Sequence, residues 1–459
     1  MNIEHYPLAP VQKAYISYGN AFAISKNLQF SGKVDVEALR HSVRPLIQRH
    51  EILRTSFPML HGSRVQFIHS PFEMDIGYSD FSDLPPEASQ LAFSHSVTEA
   101  ADAPFDIEKG PLWRASIYRL GPDDYVFNFI FSHAIFDGWS LSNLTREILD
   151  AYCSHVSGHA SLLPDLPLQF RDYTRLLLAR FTDDVISERQ AFWRQKLKDY
   201  PWSPRAKTTH HFKPYFWRLS SELTREMRNC AKRESASLYT LLMSIFRILM
   251  SHVSGQDDLI LSCVTSVERN RPELDELIGP FNGIIPVRTS TADDPSLSTL
   301  ISRVRAAILD GGDHYVPFGS LEGVLPPMNI AFNLLSTVPP VTSYALPGIP
   351  ARFEVPRGLY TSTDLAPIQV IANQRFQSDN RLHSIMGPLK LNIRMIEIHN
   401  EIVGCTWYNS DVFNDQDVRG LMNSYIQLLE TAVLDRTRKM SQMVMDLTPS
   451  DNARFTGAF

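Results

Sequence analysis

An apolar run, Val126-Phe127-Asn128-Phe129-Ile130-Phe131, ends in Ser132-His133-Ala134-Ile135-Phe136-Asp137-Gly138-Trp139-Ser140, and this junction constrains the fold more than any other stretch. Aromatic and β-branched residues dominate the run and Gly121-Pro122-Asp123-Asp124 supplies a turn before it, so it reads as a buried strand. Leu141, Leu144, Ile148 and Tyr152 then recur at helical spacing, which predicts a helix and leaves His133 and Asp137 on the loop between the two. Loops fixed between rigid elements are where binding and catalytic groups concentrate. An imidazole exchanges protons near neutral pH, which makes His133 a candidate base. Asp137 can hold the loop through an ion pair, and Gly138 lets backbone and substrate approach closely. The competing reading is a surface histidine beside a turn aspartate.

Composition narrows the class. The chain has 459 residues, 44% hydrophobic and 20% charged, as expected for a globular protein of two or three domains. A net charge of -6 with Lys and Arg scattered singly gives no stripe for nucleic acid. Met1 to Ala14 lacks the charged-then-apolar order of a signal peptide, which predicts a cytoplasmic chain. The most apolar window, Tyr239 to Met250, contains Arg247 and falls short of the roughly 20 residues that span a bilayer, so it predicts a buried helix and no membrane segment. Cys153, Cys230, Cys263 and Cys405 lie far apart, without the paired spacing of a disulfide framework or zinc site. His210-His211 has no accompanying carboxylate or cysteine, so no metal site is expected. Asn143-Leu144-Thr145 is a glycosylation sequon that stays inert without secretion.

Helix and strand patterns alternate along the chain. Leu39, Val43, Leu46 and Ile47 predict one helix despite Pro45. Val65 to Ile68 reads as a strand, and Leu112 to Leu120 as a strand hairpinned onto 126 to 131. Pro164 and Pro167 mark a connector before helical patterns at Tyr173 to Arg180 and Val185 to Leu197. This places the boundary between an N-terminal lobe, 1–175, and a C-terminal lobe, 176–459. A helix at 239 to 250, a strand at Leu259 to Val264, a strand at Glu401 to Tyr408 and a helix at Gly420 to Leu434 follow. Five prolines (339, 340, 347, 350, 356) interrupt regular structure and predict a long loop or crossover.

Several separated segments occur in the order of one family. They are Tyr6-Pro7-Leu8-Ala9-Pro10-Val11-Gln12, Arg49-His50-Glu51-Ile52-Leu53-Arg54-Thr55-Ser56-Phe57, Pro104-Phe105-Asp106 with Gly110-Pro111-Leu112, and the histidine segment itself. Phe170-Arg171-Asp172-Tyr173, Asn270-Arg271-Pro272-Glu273, Leu277-Ile278-Gly279-Pro280-Phe281, Pro317-Phe318 and Tyr408-Asn409-Ser410-Asp411-Val412-Phe413 complete the series. Over nearly its whole length the chain resembles the nonribosomal peptide synthetase condensation domain. The resemblance implies an α/β fold of two lobes, each like chloramphenicol acetyltransferase, in a V-shaped pseudo-dimer with His133 midway along the tunnel between them. It also implies that Arg269 pairs with Asp137, and that substrates arrive on the phosphopantetheine of carrier domains, with no cofactor of the protein's own and a monomeric state.

Ser132-His133 stands where the family usually has two histidines, so only the second is kept. With Ser140 three residues after Asp137, this resembles the SHxxxDxxS form of fungal terminal condensation-like domains, which release peptides by cyclisation. Pro280-Phe281-Asn282-Gly283-Ile284 and Asp313-His314-Tyr315-Val316-Pro317-Phe318-Gly319 also depart from the family, on the acceptor side of the tunnel. Nothing like a carrier or adenylation domain follows Thr448-Pro449-Ser450, as a terminal domain requires. The expected partners are thus an upstream peptidyl carrier domain and its peptidyl thioester. His133 would serve as base or positioning group, with backbone N–H groups near Gly138 for the oxyanion. Ser140 is expected as a helix N-cap and Trp139 as core. Alternatives are an ordinary intermolecular condensation domain and a non-catalytic recruitment module of the same fold. A coenzyme A acyltransferase would need a DFGWG-like segment and an epimerisation domain an EGHGRE-like one; both are absent.

Overall fold

The computed structural model describes residues 5–17, 23–158, 163–200, 212–265, 267–317, 319–321, 323–326, 328–335, 343–345, 351–354, 389–398, 400–435 and 437–447. The first half comprises α1 (Pro10–Ser17), β1 (Ala23–Gly32), α2 (Val36–His41), α3 (Val43–Arg49), β2 (Gly77–Asp80), α4 (Pro86–Asp102), β3 (Trp113–Gly121), β4 (Asp124–Ser132) and α5 (Ser140–Ser157). Helices α6 (Phe170–Arg180) and α7 (Asp183–Lys196) lead to β5 (Phe212–Leu219), α8 (Ser221–Arg233), α9 (Leu238–Ser254), β6 (Asp258–Thr265), β7 (Gly283–Ser290) and α10 (Leu297–Asp313). The chain then runs through β8 (Ile330–Leu335), β9 (Ser343–Ala345), β10 (Ala351–Glu354), β11 (Leu391–Ile398), β12 (Glu401–Asn409) and α11 (Asp415–Leu434).

Two six-stranded mixed sheets organise these elements, in the orders β9-β10-β1-β4-β3-β2 and β5-β12-β11-β8-β6-β7. The expected hairpin is β3 on β4, with Trp113 opposite Phe131. Strands β9 and β10 come from the second half of the sequence but extend the first sheet, Ala351 pairing with Gly32 and Glu354 with Gln29. The stretch expected as a long loop or crossover within 176–459 thus reaches across to the first sheet, and regular structure forms inside it. The five prolines themselves lie outside the described residues, as do His210-His211 and Thr448-Pro449-Ser450. The boundary expected at 175 falls inside the continuous helix α6.

Local chemistry explains other differences. The single helix expected through Leu39 and Ile47 is two, because Ser42 ends α2 by donating its N–H to Ala38 and α3 starts afresh. Pro45 then lies in the first turn of α3, where a missing N–H breaks no hydrogen bond. Helix α9 is buried on nearly all sides, and Arg247 within it is tolerated because its guanidinium donates to Asp257 O (2.6 Å), Thr289 O (2.9 Å) and Thr289 Oγ1 (3.1 Å). Among the described residues no single helix is long and apolar enough to cross a membrane. One continuous apolar cluster joins both halves, from Leu8 and Phe127 to Leu242 and Tyr425. The halves thus share an interior, and the 133–140 loop lies where they meet.

Candidate active site

The three residues between His133 and Asp137 fix the loop. Ala134, Ile135 and Phe136 are buried, and the Phe136 ring stacks on Phe131 at 4.0 Å. Driving those side chains into the core leaves His133 and Asp137 at opposite ends of a tight turn. From beneath, the buried Gln12 of α1 donates to Ala134 O (3.4 Å) and Gln66 Oε1 (3.3 Å). One turn on, Tyr15 stacks flat on the His133 ring, with centroids 4.1 Å apart. Gln12 of the opening motif therefore holds the loop, and Tyr15, three residues beyond it, holds the histidine. The spacing of Tyr15 from Gln12 was the available signal, since residues three apart share a helix face.

His133 keeps accessible surface although protein surrounds it. Burial pushes its imidazole down to about 4, against the opposing pull of Asp137, and Arg394 lowers it further. The ring is therefore neutral at neutral pH. Lys26 and Cys405 likewise keep some open surface, and Arg394 is exposed. Lys26 and Arg394 were not singled out from the sequence, and Cys405 only as one of four unpaired cysteines.

Asp137 has no open surface. Its Oδ1 accepts from Ser140 N–H (2.8 Å) and Ser140 Oγ (2.7 Å), and its Oδ2 from Phe281 N–H (3.1 Å) in the second half. Asp137 and Arg269 come together as the resemblance implies, both 1% exposed at the side chain, but at 3.6 Å. That exceeds hydrogen-bond length, and Ser140 Oγ bridges them by accepting from Arg269 Nη2 (3.2 Å) while donating to Asp137. Gly279 N–H also donates to Ser140 Oγ (3.0 Å). Arg269 further donates to Leu274 O and Leu277 O, and lies over the Phe281 ring at 4.0 Å.

Two expectations are corrected here. Ser140 is not the N-cap: Trp139 holds that position, and Asp137 rather than the serine receives the first free N–H of α5. Trp139 is not core; it is 37% exposed, with Arg269 at 5.9 Å from its ring. Gly138 lies between them, half-buried. Ser132 ends β4, accepting through its Oγ from Ala134 N–H at 3.4 Å.

The junction extends along α5. Asn143, only 8% exposed, donates to Asp275 O (2.7 Å) and Leu277 O (3.2 Å), so the sequon nitrogen is engaged in packing. Arg49 joins the buried Glu147 (2.7 Å) to Glu276 (2.6 Å), while His50 meets Glu147 at 2.8 Å. The Arg49-His50 motif thus serves the contact between the halves. Gly279 admits no side chain, because a Cβ there would lie 2.3 Å from the Phe170 ring.

A family model, "Condensation domain", matches residues 2–454. The chain belongs to the condensation-domain family. Similar curated proteins include a linear gramicidin synthase of Brevibacillus parabrevis, 28% identical over 90% of this chain, and a chondramide synthase of Chondromyces crocatus, 28% identical over 94%. This condensation domain spans 5% and 11% of those proteins. Among solved structures, a four-domain nonribosomal peptide synthetase bound to AMP and glycine matches with TM-score 0.75 and 20% identity, over 96% of this chain and 34% of that one. The X-domain from teicoplanin biosynthesis matches with TM-score 0.73 and 21% identity, over 96% and 98%. Both likenesses show the two-lobed acetyltransferase-like fold. Condensation domains are amide-forming enzymes of the acyltransferase type, and take substrates carried on the phosphopantetheine of carrier domains.

Proposed function

We propose that this condensation domain ends a synthetic line, releasing a carrier-bound peptidyl thioester by intramolecular amide formation. The observation that carries this reading is the pair of serines around His133 and Asp137. Ser132 replaces a histidine, and Ser140 is the hydroxyl through which Asp137, Arg269 and Gly279 are joined. The acceptor-side departures support it. Tyr315 and Val316 are buried, and the Tyr315 ring fills the space that a Cβ on Gly283 would need, at 2.5 Å. Phe281 packs against Phe170 and Tyr173. In a terminal domain such changes would accompany an acceptor side that no second carrier needs to enter.

In the reaction a nitrogen of the peptide attacks the thioester carbonyl. The C–N bond forms, the C–S bond breaks, and the nitrogen's proton leaves by way of His133 while the carrier sulfur departs as the thiol. A neutral imidazole with lowered basicity suits a hydrogen-bond acceptor that orients the uncharged nitrogen and takes its proton as positive charge develops there. Tethering nucleophile and thioester in one molecule supplies the effective concentration that a second substrate would otherwise provide.

Loading one carrier with the peptide and adding this protein alone should yield a product one water lighter than the hydrolysed acid, by mass spectrometry. A strict need for a second carrier-bound amine would establish the intermolecular reading instead. A folded protein that turns over neither arrangement would establish the recruitment reading.

The histidine also sets a pH profile. Free imidazole titrates near 6.5 and His133 near 4, so the chemical step should show no histidine limb between pH 5 and 7 and should fail only as pH falls through about 4. Between those values the unfolded chain takes up a proton that the folded one refuses. Stability therefore falls with acidification across that window. A rate profile with a clear inflection at 6.5 would contradict the neutral, buried state.

A further inference from the structure

The plane of the His133 ring is set from outside its own loop. The last torsion of a histidine side chain is broad, so the chain itself leaves the imidazole loosely oriented and a neighbour must fix it. Tyr15 is that neighbour: the two rings lie 9° from parallel with centroids 4.1 Å apart. Turning the imidazole out of this plane would break the stack, so the direction in which its nitrogens point follows the phenol. One face of the ring is thereby covered, which leaves the accessible part of His133 to its other face and its edge.

The phenol is held in turn from the second half of the chain. Asn282 Nδ2 donates to the Tyr15 hydroxyl at 3.2 Å. The backbone that presents Asn282 is pinned on both sides. Before it, Phe281 donates its N–H to Asp137 Oδ2 (3.1 Å) and packs its ring against Tyr173. After it, Gly283 opens β7 with the Tyr315 ring against it, so close that a Cβ there would lie 2.5 Å from the ring. Two adjacent residues thus reach both ends of the catalytic loop, Phe281 at Asp137 directly and Asn282 at His133 through Tyr15. Helix α1 grips the same loop from the first half, Gln12 at Ala134 O and Tyr15 at His133. Tyr15 is the residue that the two grips share.

We propose that Tyr15 and Asn282 are positioning residues for the amide-forming step: Asn282 fixes the phenol, the phenol fixes the plane of the His133 imidazole, and the base is aimed only while the two halves are packed together. The proposal rests on His133 taking the proton of the attacking nitrogen, and it holds alike for a nitrogen within the peptide and for one on a second carrier. A phenylalanine at 15 would fill the same space and stack as well. What it would lack is the hydroxyl that carries the tie to Asn282.

The test separates aiming from packing with Tyr15→Phe, which keeps the ring, Asn282→Leu, which keeps the volume, their double variant, and Tyr15→Leu, which loses the stack. With the histidine rings labelled with carbon-13, the His133 Cε1 proton is assigned by its absence from His133→Ala. It should lie upfield under the Tyr15 ring current, move downfield in Tyr15→Leu, and move part of the way in Asn282→Leu. Turnover is measured in the carrier arrangement that the unaltered protein uses. There kcat should fall about tenfold in Tyr15→Phe and in Asn282→Leu and about 10²-fold in Tyr15→Leu, with KM unchanged, the cost of misplacing a reacting group while binding persists. The double variant should be no slower than Tyr15→Phe, because both single changes remove one and the same hydrogen bond. Thermal melting identifies any variant that fails to fold, and the two conservative changes decide the matter without Tyr15→Leu. Full kcat in both of them, a loss carried by KM, an additive double variant, or a His133 resonance unmoved by loss of the stack would overturn the proposal and leave the catalytic reading standing. An unaltered protein that turns over neither carrier arrangement would overturn both.

Discussion

Replacing His133 with alanine is expected to lower thioester turnover by about 10²–10⁴-fold while the protein stays folded. The imidazole sits on a loop whose anchoring is done by others. Phe136 stacks in the core and Gln12 holds Ala134 O, and neither contact involves the histidine. What the substitution removes is a stack on Tyr15, a contact of about 0.5–1.5 kcal/mol, partly offset by no longer burying a polar ring. Turnover and thermal melting measured on the same preparation check this. A well-folded variant with most of its activity would remove His133 from the chemistry.

Asp137→Ala should behave differently, losing stability along with activity. Asp137 is shielded, ties the first turn of α5 to the loop, and reaches Phe281 N–H and Arg269 across the junction. Removing it strands a buried guanidinium, at a cost of up to about 3–5 kcal/mol. Arg269→Ala should be similar, because it leaves the carboxylate uncompensated and also frees Leu274 O and Leu277 O. The double variant should be less impaired than the sum of the singles, by a coupling of about 0.5–3 kcal/mol read from chemical denaturation. Strict additivity would mean that the two side chains do not interact. Ser140→Ala should reduce that coupling, since the serine hydroxyl lies between them.

Legibility in the sequence followed the range of each interaction. The strand, the loop and the helix around His133 are written in local periodicity, and β4 and α5 fall where alternation and helical spacing place them. The Asp137–Arg269 approach came from resemblance alone, as no local rule joins residues so far apart in the chain. Where local reasoning assigned a role to a side chain, neighbours from elsewhere overruled it. A serine at a helix start is a good cap by propensity, but the Ser140 hydroxyl faces Gly279 and Arg269, and Asp137 accepts the N–H at the start of α5 instead. Trp139 is large and apolar, but the core beneath the loop is already filled by Ile135 and Phe136.

The sequence by itself determined the pieces: an apolar strand delivering a histidine and an aspartate to a loop, an uninterrupted buried helix around Leu242, and the ordered motifs of a condensation domain. These depend on the period of side chains along one element, which is a property of consecutive residues. Tertiary structure alone decided the rest. It put Tyr15 under the imidazole, brought a strand from 351–354 onto the edge of the first sheet, and made Ser140 a bridge. Each of these is a meeting of residues far apart along the chain, made by closing long loops, and local spacing carries no record of which distant surfaces will face each other.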